Sequence, residues 1–186
     1  MAKTSGGVRN YRTYSSAYNK RRAEFYGLMA TGQYKPDASR FYKGGGFVVT
    51  HKEHNVARYD SDGKLVDKSD DAARKLARKG FRVYLDSERS NRMNVTTPDG
   101  RIEKLAMDIK TVSKAGKYTI KQALEKATKQ GSRAVVLVQG TRRLTRQYVE
   151  SQISLFQQKS PKRARDKMEY VIVVGMSGNI HRHKLK

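Results

Sequence analysis

Short apolar runs and stripes of helical period alternate along most of this chain. FVVTH (47–51) reads as a short strand, and FRVYL (81–85) alternates as a half-buried strand does. Residues 92–112, RMNVTTPDGRIEKLAMDIKTV, read as a β-hairpin with its turn at Asp99-Gly100, the dipeptide with the strongest turn chemistry in the chain. AVVLV (134–138) and YVIVV (170–174) are continuous apolar runs, as expected of strands covered on both faces. NIHRHKL (179–185) reads as a final edge strand. Helical stripes lie between these runs. Ala73, Leu76 and Ala77 mark a helix over 67–79, with Asp67 as its cap, Asp70 and Asp71 in its first turn and Gly80 just past its end. Ile120, Ala123, Leu124 and Ala127 mark a second helix over 119–130. Tyr148, Val149, Ile153 and Phe156 mark a third over 144–159, and Pro161 with the basic loop PKRARDK follows it. This order predicts an α/β domain with a mixed central sheet flanked by helices. The helix at 144–159 is the expected right-handed crossover between parallel AVVLV and YVIVV.

The N-terminal stretch differs. Residues 1–43 carry six of the 11 tyrosines, interleaved with Arg9, Arg12, Lys20, Arg21, Arg22 and Arg40. Such a pattern suits base stacking and phosphate contact, or packing on the domain or a partner protein. A weak stripe of Ala17, Arg21, Phe25 and Leu28 allows a short helix over 16–30. KGGG (43–46) closes the stretch. The expected organisation is a basic Tyr-rich tail, 1–43, and one domain, 44–186.

Composition narrows the function. At 37% hydrophobic, the 186 residues can bury a modest core. No apolar run approaches a membrane span, and the N-terminus has no apolar segment of the secretory kind. Without cysteine, a thiolate nucleophile and a Cys-based zinc site are excluded. The net charge of +23 points to a polyanion, above all nucleic acid. That charge is uneven. Residues 1–43 hold nine basic and two acidic residues, 109–186 hold eighteen and four, and 44–108 hold thirteen and eleven. Eleven of 17 carboxylates thus sit in the middle of a basic chain, where a metal-dependent nuclease would need them; polar loops such as DSDG (60–63) are the plainer reason.

Asp108-Ile109-Lys110 carries the chemistry. In a strand, Asp108 and Lys110 share one face and Ile109 turns to the other. A carboxylate that holds a divalent cation, beside an ammonium that orients water and stabilises phosphate charge, suits phosphodiester hydrolysis.

With this motif in its ordered setting, the sequence resembles the PD-(D/E)XK nuclease superfamily over about 44–186. The resemblance is closest to C-terminal tRNase toxin domains of contact-dependent inhibition proteins and to related modules on phage head-morphogenesis proteins. It is carried by GGGFVV, the helix at 67–79, FRVYLDSE, the hairpin with Asp108-Ile109-Lys110, and the Gln-bearing KQALEKATKQ. It implies a restriction-endonuclease-like core, Mg²⁺ or Mn²⁺ as cofactor, and RNA, tRNA-like, favoured over DNA. A cognate immunity protein or a phage structural partner is also implied, with a cytoplasmic site of action after delivery, or association with a virion.

The family's first Asp has two candidate positions here. Pro98-Asp99 stands nine residues before Asp108. With the turn at Asp99-Gly100, however, Asp99 is roughly 30 Å from Asp108 along the strand; residue 91 or 92 then faces Asp108, and Asn91 or Asn94 takes the place of the family's first Asp. A longer, irregular hairpin is the alternative that brings Asp99 in. The resemblance gives the remaining acid to Glu88, with Asp86 in reserve, and offers Asp70 or Asp71 a helix-borne acid role; helix N-terminal charge is the simpler reading of that pair. Gln122 and Gln130 match the Gln-bearing helix.

The expected site is therefore Asp108, Glu88 and Asn94 on the metal, with Lys110 and Gln122 serving water and phosphate. Lys114, Lys117, Lys121, Arg142, Arg143, Arg146, Lys162, Arg163, Arg165 and Arg182 are expected to hold the backbone. His51 and His54 lack a third ligand, and His181 with His183 on the last strand offers a metal-free ribonuclease as a minor reading. The principal alternative to a nuclease is a non-catalytic nucleic-acid-binding or phage structural protein on a degenerate nuclease fold.

Overall fold

The computed structural model describes residues 15–54, 69–87 and 97–185. Among these, eight strands form one mixed sheet in which neighbours in sequence are neighbours in space. They are β1 (Arg40–Phe41), β2 (Phe47–Thr50), β3 (Arg82–Leu85), β4 (Gly100–Ile102), β5 (Leu105–Val112), β6 (Ala134–Gln139), β7 (Tyr170–Val174) and β8 (Ile180–Lys184). β2 and β3 are parallel, as are β5, β6 and β7; the remaining pairs are antiparallel. The helices are α1 (Ser16–Ala30), α2 (Ser69–Arg78), α3 (Thr119–Lys129), α4 (Arg146–Lys159) and α5 (Lys162–Lys167). The expected mixed sheet with flanking helices is thus the observed one.

The alternation of side chains along each strand divides the core into two faces. One face carries Val48, Val83, Leu85, Ile102, Met107, Ile109, Val136, Val138, Ile172 and Val174, and α2 packs on it through Ala72, Ala73, Leu76 and Ala77. These four buried residues recur at helical spacing, and Asp70–Arg74 and Asp71–Lys75 brace the outer side of α2. On the other face, Ile120, Leu124 and Ala127 of α3 and Val149, Ile153 and Phe156 of α4 pack on Val112, Val135, Leu137, Val171 and Val173. Farther along that same face, Phe25 of α1 packs with Phe47, Val49 and Tyr84.

Residues 15–43 of the N-terminal stretch supply α1 and β1. Ser15 caps α1, its side chain accepting from Tyr18 N. Phe25 is the buried residue of α1 and meets Phe41 and Phe47. Arg21 donates to Gly80 O at the end of α2, and Tyr34 bridges to His51.

Two local expectations are corrected. PKRARDK is not a loop: Lys162–Lys167 form α5, so the β6–β7 connection carries two helices. The hairpin turn is not Asp99-Gly100 but Glu103-Lys104, between β4 and β5. Glu103 adopts φ +55, as the first position of a two-residue hairpin turn can require. Arg82 holds it there: Arg82 N and Nε donate to the Glu103 carboxylate, and Glu103 N donates to Arg82 O. Gly100 is needed for another reason. A Cβ at this position would lie 2.0 Å from Tyr84 O, so only glycine lets β4 approach β3.

Candidate active site

The corrected register sets the geometry of the site. Gly100 pairs with Met107, so the preceding Asp99 comes opposite Asp108. Asp99 Oδ2 accepts from Ile109 N at 2.7 Å, which fixes its carboxylate beside β5. The residue facing Asp108 is therefore Asp99, not residue 91 or 92, and a carboxylate stands there in place of the expected amide of Asn91 or Asn94. Glu88 and Asn94 themselves lie outside the described residues.

Asp86, Asp99 and Asp108 occupy one row across three neighbouring strand paths. Leu85 pairs with Gly100 and Gly100 with Met107, and Asp86 N donates to Asp99 O. Lys110 lies two residues beyond Asp108 and shares its face, while Ile109 is buried in the opposite cluster, as expected. Asp86, Asp99, Arg101, Asp108 and Lys110 thus form a charged strip between the α1 cluster and the α3–α4 cluster.

Asp108 is the unusual member. It is 0% exposed, and neither carboxylate oxygen accepts a hydrogen bond of good geometry. Lys110 Nζ stands 3.1 Å from Oδ2 as an ion pair, with its side chain 29% exposed. Burial, and then the neighbouring Asp99 charge, push the Asp108 carboxyl up to about 6 against the opposing pull of Lys110. A buried carboxylate facing a second carboxylate, with unused lone pairs, has the donor chemistry of a divalent-cation site. One or two carboxylates plus water and phosphate oxygens suffice for Mg²⁺. Among the described residues no three His, Asp or Glu side chains converge as a closed metal cage.

Asp86 turns instead to Arg101, which donates to it through Nε (2.9 Å) and Nη2 (3.0 Å). The Arg101 guanidinium lies 4.5 Å from the Tyr84 ring centre. Tyr84 Oη donates to Glu24 of α1, which also takes Arg82. Burial and the Glu24 carboxylate both raise the Tyr84 phenol well above its ordinary value. An N-terminal helix therefore braces the strands of the charged strip.

Other expected residues are placed elsewhere. Asp70 and Asp71 sit at the start of α2, on the opposite face of the sheet, paired with Arg74 and Lys75, so they do not join Asp108. Gln122 is exposed on α3, whereas Gln130 caps that helix and has a buried Oε1 with no hydrogen-bond donor. His51 Nδ1 accepts from Glu53 N, and His54 Nδ1 lies 2.9 Å from Asp86 O. His181 and His183 share a face of β8, beyond β6 and β7 from Asp108. Burial lowers His183 below the ordinary imidazole value.

The ten basic residues do not gather on one surface. Lys114 and Lys117 lie after β5, and Arg142 and Arg143 after β6. Lys121 is paired with Glu125 and Arg146 with Glu150. Lys162, Arg163 and Arg165 belong to α5, before β7; Arg163 lines a cavity of about 420 Å³ with Lys129 and Lys167. Arg182 covers the Tyr170 ring, in register with Ile172 of the α2-facing cluster.

The residue that the turn placement left out, Asp99, had its signal in the sequence: Pro98-Asp99 nine positions before Asp108-Ile109-Lys110.

The family model described as "Contact-dependent growth inhibition CdiA C-terminal domain" matches residues 96–180. This span runs from just before β4 to the start of β8 and includes Asp99, Asp108 and Lys110. Among solved structures, the chain is similar to one titled "CdiA-CT/CdiI toxin and immunity complex from Burkholderia pseudomallei". The identity is 18%, the match covers 62% of this chain and 80% of that one, and the TM-score is 0.46. No curated protein matches.

Proposed function

We propose that this chain is a metal-dependent nuclease domain of a growth-inhibition toxin, hydrolysing phosphodiester bonds in RNA of a target cell. The observation that carries the reading is the juxtaposition of Asp99 and Asp108 on adjacent strands, with Lys110 on the same face. The match of residues 96–180 to the CdiA C-terminal family supports the toxin setting. The preference for a tRNA-like substrate rests on the resemblance of the whole ordered motif set to tRNase toxin domains.

Asp99 and Asp108 would hold the Mg²⁺ or Mn²⁺ ion, with Glu88 and Asn94 as further candidates in the same neighbourhood of the chain. The ion, when bound, supplies Lewis-acid polarisation of the phosphate and a more acidic water. The protein's own contribution is to keep two carboxylates close together despite their repulsion, one buried and one fixed by Ile109 N. Lys110 keeps an ammonium within reach of the same space, where it orients the attacking water and offsets charge developing on the phosphate. The alternative of a degenerate, non-catalytic fold rested on an amide in the place of the family's first Asp; the Asp99 carboxylate beside Asp108 supports the catalytic reading instead. Gln130, with its unused buried oxygen, is a better candidate than exposed Gln122 for a polar role from α3. Delivery into a recipient cytoplasm and neutralisation by a cognate immunity protein complete the proposal.

The test is cleavage of purified total tRNA, ribosomal RNA and plasmid DNA with Mg²⁺ or Mn²⁺, and with EDTA in parallel. Cleavage that needs metal and is lost in Asp108→Ala and Lys110→Ala is the expected result. Cleavage that persists in EDTA, or in either variant, would overturn it and turn attention to His181 and His183.

A further inference from the structure

We infer that Arg101 is a substrate-binding residue of the charged strip, a guanidinium preset to grip the phosphodiester backbone beside the carboxylate pair. This rests on the nuclease reading for its substrate class, but not on turnover. Four observations converge. Arg101 stands two residues from Asp99 on β4 and opposite Ala106 on β5, so it shares the face of Asp108 and Lys110, with only a methyl group across from it. Its guanidinium is oriented rather than free: Asp86 takes Nε and Nη2, and the Tyr84 ring lies 4.5 Å beneath. Its side chain remains 45% exposed. Nη1 donates to no described residue.

A fixed, half-exposed guanidinium with a spare donor edge loses little further entropy on meeting a phosphate oxygen, and Arg suits that contact better than Lys because its donors form a planar fork. The spacing places it roughly 7 Å from Asp99 along β4, so it meets a part of the backbone neighbouring the one at the carboxylates. Asp86 and Tyr84 act through Arg101 and are positioning residues. Glu24 holds the Tyr84 hydroxyl from α1, so part of the N-terminal stretch contributes to substrate grip without touching the substrate.

The experiment uses the full chain carrying Asp108→Asn, in EDTA, so that neither metal nor cleavage enters. Binding of a fluorescein-labelled RNA oligonucleotide is titrated between about 50 and 200 mM salt. Adding Arg101→Ala is expected to weaken binding about tenfold and to reduce the slope of log affinity against log salt by about 0.7, the signature of one lost single-strand phosphate contact. Arg101→Lys is expected to keep the slope and lose part of the affinity; it also serves as the fold-sparing variant if the alanine variant does not fold. A purely structural ion pair between β3 and β4 would change the melting temperature and leave the slope alone. An unchanged slope and affinity in a folded Arg101→Ala protein would overturn the inference. Arg101-dependent binding by a protein that never cleaves would preserve it and remove the nuclease reading. Metal-dependent cleavage with binding indifferent to Arg101 would do the reverse.

Discussion

Replacing Asp108 with Asn is expected to make the metal-free protein more stable at neutral pH. In the unfolded chain this carboxyl titrates near 3.8, and in the folded protein burial and Asp99 raise it to about 6. The folded state therefore binds the proton more tightly, so the stability contributed by this group falls as pH rises from about 4 to 6. The cost is fully present above pH 6. A rise of that size corresponds to on the order of 3 kcal/mol at neutral pH. Asn removes the charge and keeps the shape, and its amide can donate toward the Asp99 carboxylate. For a chain of this length, roughly 3 kcal/mol moves Tm by about 6–12 °C. The assay is thermal or urea unfolding of both proteins in EDTA across about pH 4 to 7.5. The Tm advantage of the Asn variant is expected to be small at the acid end and to widen through the window. A difference that is the same at every pH, or that narrows toward neutrality, would refute the assignment of a strained carboxylate at this position.

Four further outcomes follow from the same geometry. Asp99→Asn should reduce metal-dependent cleavage by at least about 100-fold, as fully as Asp108→Asn, since charge stabilisation at such a site contributes that much; near-normal turnover would separate Asp99 from the site. Mg²⁺ should raise the Tm of the parent protein by mass action and leave Asp99→Asn and Asp108→Asn nearly unmoved, as read by thermal unfolding with increasing metal. Gly100→Ala should cost about 2–3 kcal/mol in urea unfolding, because its Cβ would press into Tyr84 O and force β4 away from β3. Glu24→Ala should cost about 1–2 kcal/mol in the same assay, with a fall in the Tyr84 phenol pKa by spectrophotometric titration, because Tyr84 and Arg82 lose a shared acceptor.

The pattern of apolar residues placed the main helices and the buried strands within a few positions, because burying one face of a helix or both faces of a strand leaves a local period in the sequence. AVVLV, YVIVV and the stripes of α2, α3 and α4 are such cases. Asp108 and Lys110 on one face with Ile109 behind them was equally legible, since the two-residue alternation of a strand is fixed by its backbone. The short helix at Lys162–Lys167 was not, because a charged segment with no buried residue has no stripe to read.

Tertiary structure decided where the hairpin turns, and with it the membership of the site. Asp99-Gly100 has the local chemistry of a turn, but its glycine answers to the carbonyl of Tyr84 on a neighbouring strand. Glu103 has no such local signature and takes its positive φ with Arg82 bonded to it from another element. Both facts depend on β3, which lies outside the hairpin, so no reading confined to residues 92–112 could weigh them. A shift of the turn by four residues moved Asp99 from one end of a strand to the side of Asp108. The sequence alone put Asp108 and Lys110 on one face of a strand and Asp99 nine positions ahead of Asp108. The close packing of β3 against β4 determined that two of them meet, because strand register is set by contacts across the sheet rather than along the chain.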